Sequence, residues 1–267
     1  MQSETSELLK FAGWESLAAE MDAWRAEGKQ IVFWWRDDDA TSPGVKLDRL
    51  LELAPGVPRS LAVIPHQVEP KLGHTLRDFE WISVLQHGFA HKNHAPATEK
   101  KAEFGPHRSV SEMLEELVLG QNRLSNLFAD TFRPILVPPW NRIDPDFVKH
   151  LPGAGYSALS GFGRTISGSA IPQINSHIDI IDWRGNRAFI GERAAILAII
   201  RHLKLQRRNS SHAFLPTGLL THHRDHDELC WKFIHELIDH TRMHSASNWI
   251  SVDDAIAGEN VGLSIPD

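Results

Sequence analysis

The sequence predicts an α/β protein with a parallel sheet covered by helices. Short apolar segments rich in β-branched and aromatic residues alternate with longer segments of helical periodicity. Strands that are apolar on both faces are typical of parallel sheets buried between helices. The alternation is compatible with an α/β barrel or a doubly wound sheet. No repeat or Pro/Gly-rich linker divides the 267 residues, so a single domain over residues 1–267 is expected.

The first expected element is an amphipathic helix over residues about 3–28, packed on the domain. Apolar residues recur at helical spacing up to Trp24, and Gly28 is a stop signal. The expected strands are IVFWW from Ile31, SLAVI from Ser60, WISVLQ from Trp81, RPILV from Arg133, YSALS from Tyr156, HIDII from His177, FLPTGLLT from Phe214 and NWISV from Asn248. The expected helices begin near Ser109 (a candidate N-cap), at DPDFVKHL, at Glu192 and near Asp227.

Composition narrows the class of protein. The sequence is 42% hydrophobic and 23% charged, as in globular enzymes with a sizeable core. No apolar run approaches the roughly 20 residues that cross a bilayer. The N-terminal segment lacks the basic and apolar regions of a signal peptide, so a cytoplasmic protein without membrane contact is expected.

Charge and cysteine content exclude further classes. Net charge is −6, and the basic run RHLKLQRR near residue 201 is interpreted as the solvated face of a helix, so no nucleic-acid partner is expected. A single cysteine, Cys230, excludes an internal disulfide and a cysteine zinc cluster. Any metal must therefore be held by histidine and carboxylate.

Polar or aromatic groups follow five of the expected strands at their C-terminal ends. They are the acids Asp37, Asp38 and Asp39, the segment HGFAH from His87 to His91, the segment PPWNR from Pro138 to Arg142, the pair Asp182 and Trp183, and the pair His222 and His223. Parallel α/β folds build their active sites at this end of the strands. The sequence therefore predicts a site where these segments meet.

The histidine spacing suggests a metal site. If the chain turns helically after its strand, His87 and His91 project from one side and can bind one ion. One of the three acids would complete a two-histidine, one-carboxylate site with open positions, and a neighbouring acid would accept a proton from water. A dication would keep the clustered acids ionised, because opposite charge lowers a carboxyl pKa.

Each segment also has an ordinary structural explanation. Acids after strands are often helix caps or solvated turns, and an HxxxH pair is a weak signal in a chain with 16 histidines. A Pro-Pro-Trp segment is commonly a rigid turn with a packed ring. The occurrence of five such segments in order favours a functional site.

Taken together, these motifs resemble those of the polysaccharide deacetylase (NodB homology) superfamily, carbohydrate esterase family 4. The resemblance covers residues about 31–223 and implies an incomplete (β/α)7 barrel, TIM-barrel-like, that hydrolyses N- or O-acetyl groups. It also implies a divalent metal, most simply Zn²⁺, with Co²⁺, Ni²⁺ or Mn²⁺ as alternatives. A small-molecule or glycan substrate is expected, and the sequence gives no oligomeric state.

The resemblance assigns roles to residues of the first three motifs. RDDDA is similar to a motif whose paired acids are base and metal ligand, which implies Asp38 as base and Asp39 as ligand; the shifted pair, Asp37 and Asp38, remains an alternative. HGFAH implies that His87 and His91 are ligands. VPPWN implies that the backbone N–H of Trp140 contributes to an oxyanion hole, with Asn141 and Arg142 beside it.

The last two motifs supply the groove and the acid. DIIDWRG implies Asp179, Asp182 and Trp183 beside the substrate groove, with Trp34 or Trp35 as further candidates for its wall. LLTHH implies His222 as general acid.

Three residues depart from the family pattern: Gly88 replaces a Ser/Thr that helps shape the metal loop, Ala40 replaces a glycine, and Val137 replaces an arginine that orients the catalytic acid. Arg142 or Arg36 is considered as a substitute for that arginine.

The interpretation is a metal-dependent deacetylase of an N-acetylated sugar or related amide, acting on a non-peptide carbon–nitrogen bond. A catalytically silent, metal-dependent glycan-binding relative is the first alternative, motivated by Val137. The second is a metal phosphohydrolase, suggested by His223, His226 and Asp227 in THHRDHDE. The strands count against it, because such domains are helical.

Overall fold

The computed structural model describes residues 13–208 and 216–261. Its strands form one sheet in which every pairing is parallel. They are β1 (Ile31–Ala40), β2 (Arg59–Val63), β3 (Ile82–His87), β4 (Phe132–Val137), β5 (Ala158–Leu159), β6 (Ile178–Asp179), β7 (Thr217–Thr221) and β8 (Ser247–Trp249).

The strand order distinguishes a barrel from a doubly wound sheet. The order is β5-β4-β3-β2-β1-β7-β6, and β8 also pairs with β1. In a doubly wound sheet the second half of the chain starts beside β1 and moves outward. Here it ends beside β1, so the strands follow one circle that stays open between β5 and β6. The expected incomplete, seven-stranded α/β barrel is confirmed, with β8 as an additional short strand.

Helices alternate with the strands. They are α1 (Trp14–Ala26), α2 (Val45–Glu52), α3 (Pro70–Leu76), α4 (Val110–Phe128), α5 (Pro145–Val148), α6 (Glu192–Arg207), α7 (Glu228–Arg242) and α8 (Val252–Val261). None of the helices in these described ranges is long and apolar enough to cross a membrane.

The helix predicted over residues about 3–28 is observed as α1, and residues 3–12 of that prediction lie outside the described residues. Leu17, Met21 and Trp24 of α1 are buried in the main core. An ion pair of 2.8 Å between Glu20 and Arg207 Nε joins α1 to α6, so α1 packs against the outer helices.

The longest helix, α4, begins as predicted. The Ser109 side chain accepts the Glu112 N–H, and the Glu112 side chain accepts the Ser109 N–H, which is a complete capping box. The strand predicted from Asn248 is wrong at its end, because α8 begins at Val252. The prediction overlooked Ser251, whose Oγ accepts the Asp254 N–H at 3.1 Å and ends the extended conformation.

The two tryptophans proposed for the groove wall belong to the core. Trp34 is 0% exposed and packs with Ala62, Leu85 and Val137 of the neighbouring strands, on the inside of the barrel. Trp35 points to the other face, and its Nε1 donates to Thr221 Oγ1 at 2.8 Å. Neither ring reaches the surface, so that part of the prediction is wrong.

Candidate active site

Three of the predicted metal ligands converge at the C-terminal edge of the sheet. Asp39 is the penultimate residue of β1, His87 is the last residue of β3, and His91 follows in the next loop. Asp39 Oδ1 lies 3.1 Å from His87 Nε2 and 3.4 Å from His91 Nε2. Ligand atoms of all three lie within 4.8 Å of one another, close enough to share one ion.

The hydrogen bonding around these atoms fits a cation. His87 Nδ1 lies 3.0 Å from the Val137 carbonyl oxygen, which can only accept, so in the neutral ring Nε2 carries the lone pair. Asp39 Oδ1 is buried and receives no hydrogen bond from the described residues. Two lone pairs that face each other repel unless a positive charge, either a proton or a metal ion, lies between them. Burial lowers the pKa of His87, but Asp38, Asp39 and the Val137 carbonyl raise it more, so the net shift is upward. One carboxylate and two imidazoles form a donor set that suits Zn²⁺ and related divalent ions.

The electrostatics agree with this arrangement. Burial raises the pKa of Asp39, but the neighbouring His87, His222 and His91 together lower it more, so the net shift is downward. Burial, together with the neighbouring His87, lowers the pKa of His91 to about 4. Near neutral pH the site therefore offers an ionised carboxylate and a neutral imidazole on His91, the forms in which both bind metals.

The loop that carries His91 is not the helical turn predicted from the HxxxH spacing. Residues 88–91 are irregular, and both Gly88 (φ 58°) and His91 (φ 55°) adopt left-handed conformations. The two imidazole rings are nonetheless 5.0 Å apart. The HxxxH spacing therefore predicted correctly that the His87 and His91 rings lie close together. The loop conformation, not helix periodicity, brings them together.

Unfavourable backbone conformations are concentrated at this edge. Six non-glycine residues have positive φ within the described ranges, and four of them are Asp39, His91, Trp140 and Asn141. A left-handed conformation costs such residues roughly 1–2 kcal/mol each and persists only where the surroundings impose it. At Asp39 (φ 70°) it accompanies a register shift between β1 and β2, so its side chain leaves the strand alternation and turns to the histidines.

The proposed base, Asp38, is paired with Arg36 inside the barrel. Arg36 Nε donates to Asp38 Oδ1 at 2.8 Å and Nη2 to Oδ2 at 3.0 Å, and the Arg36 side chain is fully buried. Arg36 Nη2 also donates to Asn141 Oδ1 at 2.7 Å. Of the two arginines considered as substitutes for the one absent at Val137, Arg36 is the one that contacts Asp38. Arg142, the other candidate, donates to the Lys101 carbonyl instead.

Asp37 faces away from the three ligands and lies in a buried cluster. His223 Nδ1 lies 2.5 Å from Asp37 Oδ1, and both the His223 N–H and the Thr221 hydroxyl donate to Oδ2. Burial raises the pKa of Asp37, but His223, His226 and Thr221 together lower it more, so the net shift is downward. This geometry separates the alternatives left open by the sequence: Asp39, not Asp38, lies at the histidines.

The predicted acid and groove residues lie beside one another after β6 and β7. The His222 ring packs edge-on against Trp183 with centroids 4.6 Å apart, and its buried Nδ1 has no partner among the described residues. Trp183 is 37% exposed, and its Nε1 donates to Asp179 Oδ2 at 2.7 Å. Asp182 accepts the N–H groups of Arg184 and Gly185, so it shapes the following turn.

Two buried residues at the site were missed by the sequence analysis. Ser160, directly after β5, receives Arg36 Nη1 on its hydroxyl and carbonyl oxygens at 2.7 and 2.8 Å. Glu103 lies under the His87–His91 loop and is 0% exposed. Neither is close in sequence to a strand end that carries a motif, and only the fold brings them to the site.

Comparison with solved structures identifies the fold. A Mycobacterium smegmatis protein assigned to the polysaccharide deacetylases superposes with a TM-score of 0.65 at 13% identity, over 90% of this chain and 96% of that one. A Streptococcus mutans CE4 esterase gives a TM-score of 0.54 at 15% identity, over 89% of each chain. A Streptomyces lividans family 4 carbohydrate esterase in complex with acetate gives 0.51 at 14%, over 80% and 88%.

The fold is therefore the barrel that CE4 polysaccharide deacetylases and esterases share, at low sequence identity. No family model matches the sequence. No curated protein matches it either. The similarity to known proteins therefore rests on the fold and on the order of the motifs at the strand ends.

Proposed function

We propose that the protein is a metal-dependent deacetylase that hydrolyses the acetyl amide of an N-acetylated sugar or a related small amide. The observation that carries the proposal is the buried, unpartnered Asp39 Oδ1 between two imidazoles, next to a carboxylate held by Arg36. The fold of CE4 deacetylases and esterases supports the same reaction class. An acetyl xylan esterase of that fold from Clostridium thermocellum was solved with a cobalt ion.

Asp39, His87 and His91 would hold the metal, with Zn²⁺ as the first candidate. When bound, the metal would polarise the acyl carbonyl and acidify the attacking water, which is the chemistry that Zn²⁺ supplies in hydrolases. Asp38 accepts the proton of that water. The bidentate Arg36 contact fixes the direction of the Asp38 carboxylate, and orientation of this kind supports general-base catalysis.

The remaining groups stabilise charge and release the product. The backbone N–H of Trp140 donates to the developing oxyanion, and the left-handed conformation of Trp140 sets its direction. His222 donates a proton to the departing amine. Asn141, Arg142, Asp182 and Trp183 border the groove, where the exposed Trp183 ring offers an apolar face for a sugar.

The test combines metal analysis with acetate release from a panel of N-acetylated sugars and small amides. Asp39→Asn and His87→Ala should lose tight metal binding. Asp38→Asn should retain the metal and lose at least about 100-fold in rate. An Asp38→Asn variant with the full rate would show that Asp38 is not the base.

The silent glycan-binding alternative makes the opposite prediction, namely glycan binding without acetate release under any metal. One structure of this fold is a mutant of a CE4 pseudoenzyme with restored activity. This alternative was motivated by the absence of an arginine at Val137. Arg36 weakens it, because Arg36 contacts Asp38 from another position in the sequence. The phosphohydrolase alternative lacks support, because His223 pairs with Asp37 and His226 Nε2 accepts the His222 N–H.

A further inference from the structure

The loop of the second histidine ligand is built around a single buried carboxylate. Glu103 Oε2 accepts the Phe89 N–H at 3.1 Å, and Oε1 accepts the N–H groups of Ala90 and Lys92 at 2.8 and 3.3 Å. Glu103 is 0% exposed, so water does not compete for these bonds. Ala90 and Lys92 flank His91 on both sides. The Lys92 N–H belongs to the peptide that directly follows His91, and the Ala90 N–H belongs to the peptide one residue before it. The carboxylate therefore holds the backbone on both sides of His91.

This loop needs such a partner. Residues 88–91 form no helix or strand that would satisfy their N–H groups, and His91 is held at φ 55°. Buried N–H groups without acceptors are costly, and the two oxygens of one carboxyl group have enough lone pairs to accept all three N–H groups. Without Glu103 the loop has no described acceptor for these groups, and the left-handed conformation of His91 loses its support.

The Glu103 carboxylate occupies the space that a side chain at Gly88 would fill. A Cβ built on Gly88 would lie 2.0 Å from Glu103 Oε2 and 2.6 Å from Pro139 Cγ. Any side chain at position 88 would therefore displace the carboxylate. The motif that this segment resembles has Ser/Thr at this position, whereas here a glycine gives room for an acceptor that comes from 15 residues further along the chain.

Glu103 is itself held firmly. The next residue, Phe104, is fully buried, and its ring stacks on Phe147 at 5.8 Å with an interplanar angle of 7°. The Phe104 carbonyl accepts the Asp144 N–H at 2.8 Å. A rigid support of this kind can transmit its own position to the loop.

We propose that Glu103 is a positioning residue for the metal site: its carboxylate holds the His87–His91 loop in the conformation that aims His91 Nε2 at Asp39 and His87. The proposal rests on the metal site of the proposed function but not on the identity of the substrate. In the motif that HGFAH resembles, a Ser/Thr side chain helps to shape the metal loop. The proposal gives that role to Glu103, which lies outside every motif.

The experiment measures Zn²⁺ affinity of the full-length protein by competition with a chromophoric chelator. In Glu103→Gln the amide nitrogen cannot accept, so one side of the loop loses its bonds, and affinity should fall about 10- to 100-fold. Glu99→Gln is the matched control, because Glu99 is on the same segment and its side chain contacts only the exposed His107. Its affinity should equal that of the wild type.

A double-mutant cycle separates positioning from general loss of folding. If Glu103 acts through His91, Glu103→Gln should cost no further affinity in a His91→Ala background. The Co²⁺ absorption spectrum of Glu103→Gln should also shift toward that of His91→Ala, because the bands report the ligand set. Affinity within twofold of wild type, or an equal loss in both backgrounds, would overturn the proposal.

The outcomes are distinguishable from a failure of the proposed function. Metal binding by the wild type without acetate release would refute the deacetylase and leave the affinity comparison intact. Wild-type protein that binds no Zn²⁺ or Co²⁺ would overturn the metal site and, with it, the role of Glu103.

Discussion

Replacing Arg36 by methionine tests the buried ion pair beneath the proposed base. The substitution keeps most of the apolar stem and removes the charge. Arg36 is fully buried and donates to the carboxylate of Asp38, to Asn141 Oδ1, to the hydroxyl and carbonyl of Ser160, and to the Gly161 carbonyl. All of these acceptors lose their donor in Arg36→Met.

The expected cost follows from the charge that is left behind. Two unit charges about 4 Å apart at an effective dielectric of about 20 attract by about 4 kcal/mol. Removing one partner of a buried pair typically destabilises by about 3–5 kcal/mol, because the other charge is stranded. We therefore expect Arg36→Met to lower the free energy of unfolding by about 3–5 kcal/mol.

Urea unfolding followed by the fluorescence of the nine tryptophans measures this loss. Asp38→Asn in the Arg36→Met background removes the stranded charge. The loss of unfolding free energy in the double variant should therefore be about 2 kcal/mol smaller than the sum of the losses in the two single variants. Arg142→Met is the control and should cost less than about 1 kcal/mol, since its hydrogen bond is at the exposed Lys101 carbonyl. A loss under about 1 kcal/mol for Arg36→Met, or strict additivity, would refute the reasoning.

Two further predictions concern stability. The folded-state pKa of Asp37 lies below the ordinary value of 3.8, because His223, His226 and Thr221 together outweigh the effect of burial. The stabilising contribution of Asp37 is therefore present above about pH 4 and is lost as pH falls through the folded-state pKa. Asp37→Asn should therefore be less stable than wild type at pH 7, and urea titrations at descending pH should show the gap closing below about pH 4; a gap independent of pH would contradict this. Gly88→Ala should cost at least about 1–3 kcal/mol more than Gly163→Ala, because both have positive φ but only the Gly88 Cβ would collide with Glu103, while Gly163 has open space. Equal losses would show that the loop yields to the methyl group.

The strands and the location of the site could be predicted from local pattern. Apolar β-branched segments were recognised because a strand buried on both faces needs apolar residues at every position. Parallel strands also share one C-terminal edge, so side chains at the ends of β1, β3 and β7 meet there whatever their distance in sequence. This is why the sequence alone assigns Asp39, His87 and His222 to one edge.

Element ends and the loop conformation were harder to predict. The end of β8 depended on a single serine that caps α8. The HxxxH segment carries no sign that His91 is left-handed, because the N–H groups of its neighbours Ala90 and Lys92 bond to the distant Glu103. Long-range hydrogen bonds of this kind leave no periodic trace in the sequence.

The sequence by itself determined the class of fold, the edge where the site lies and the residue types available to bind a metal. It did so because periodicity and strand direction are local properties. The tertiary structure alone decided that Asp39 turns to the histidines while Asp37 turns to His223, and that Arg36 rather than Arg142 pairs with Asp38. These contacts depend on a register shift and on distant segments, which only the folded barrel brings within bonding distance.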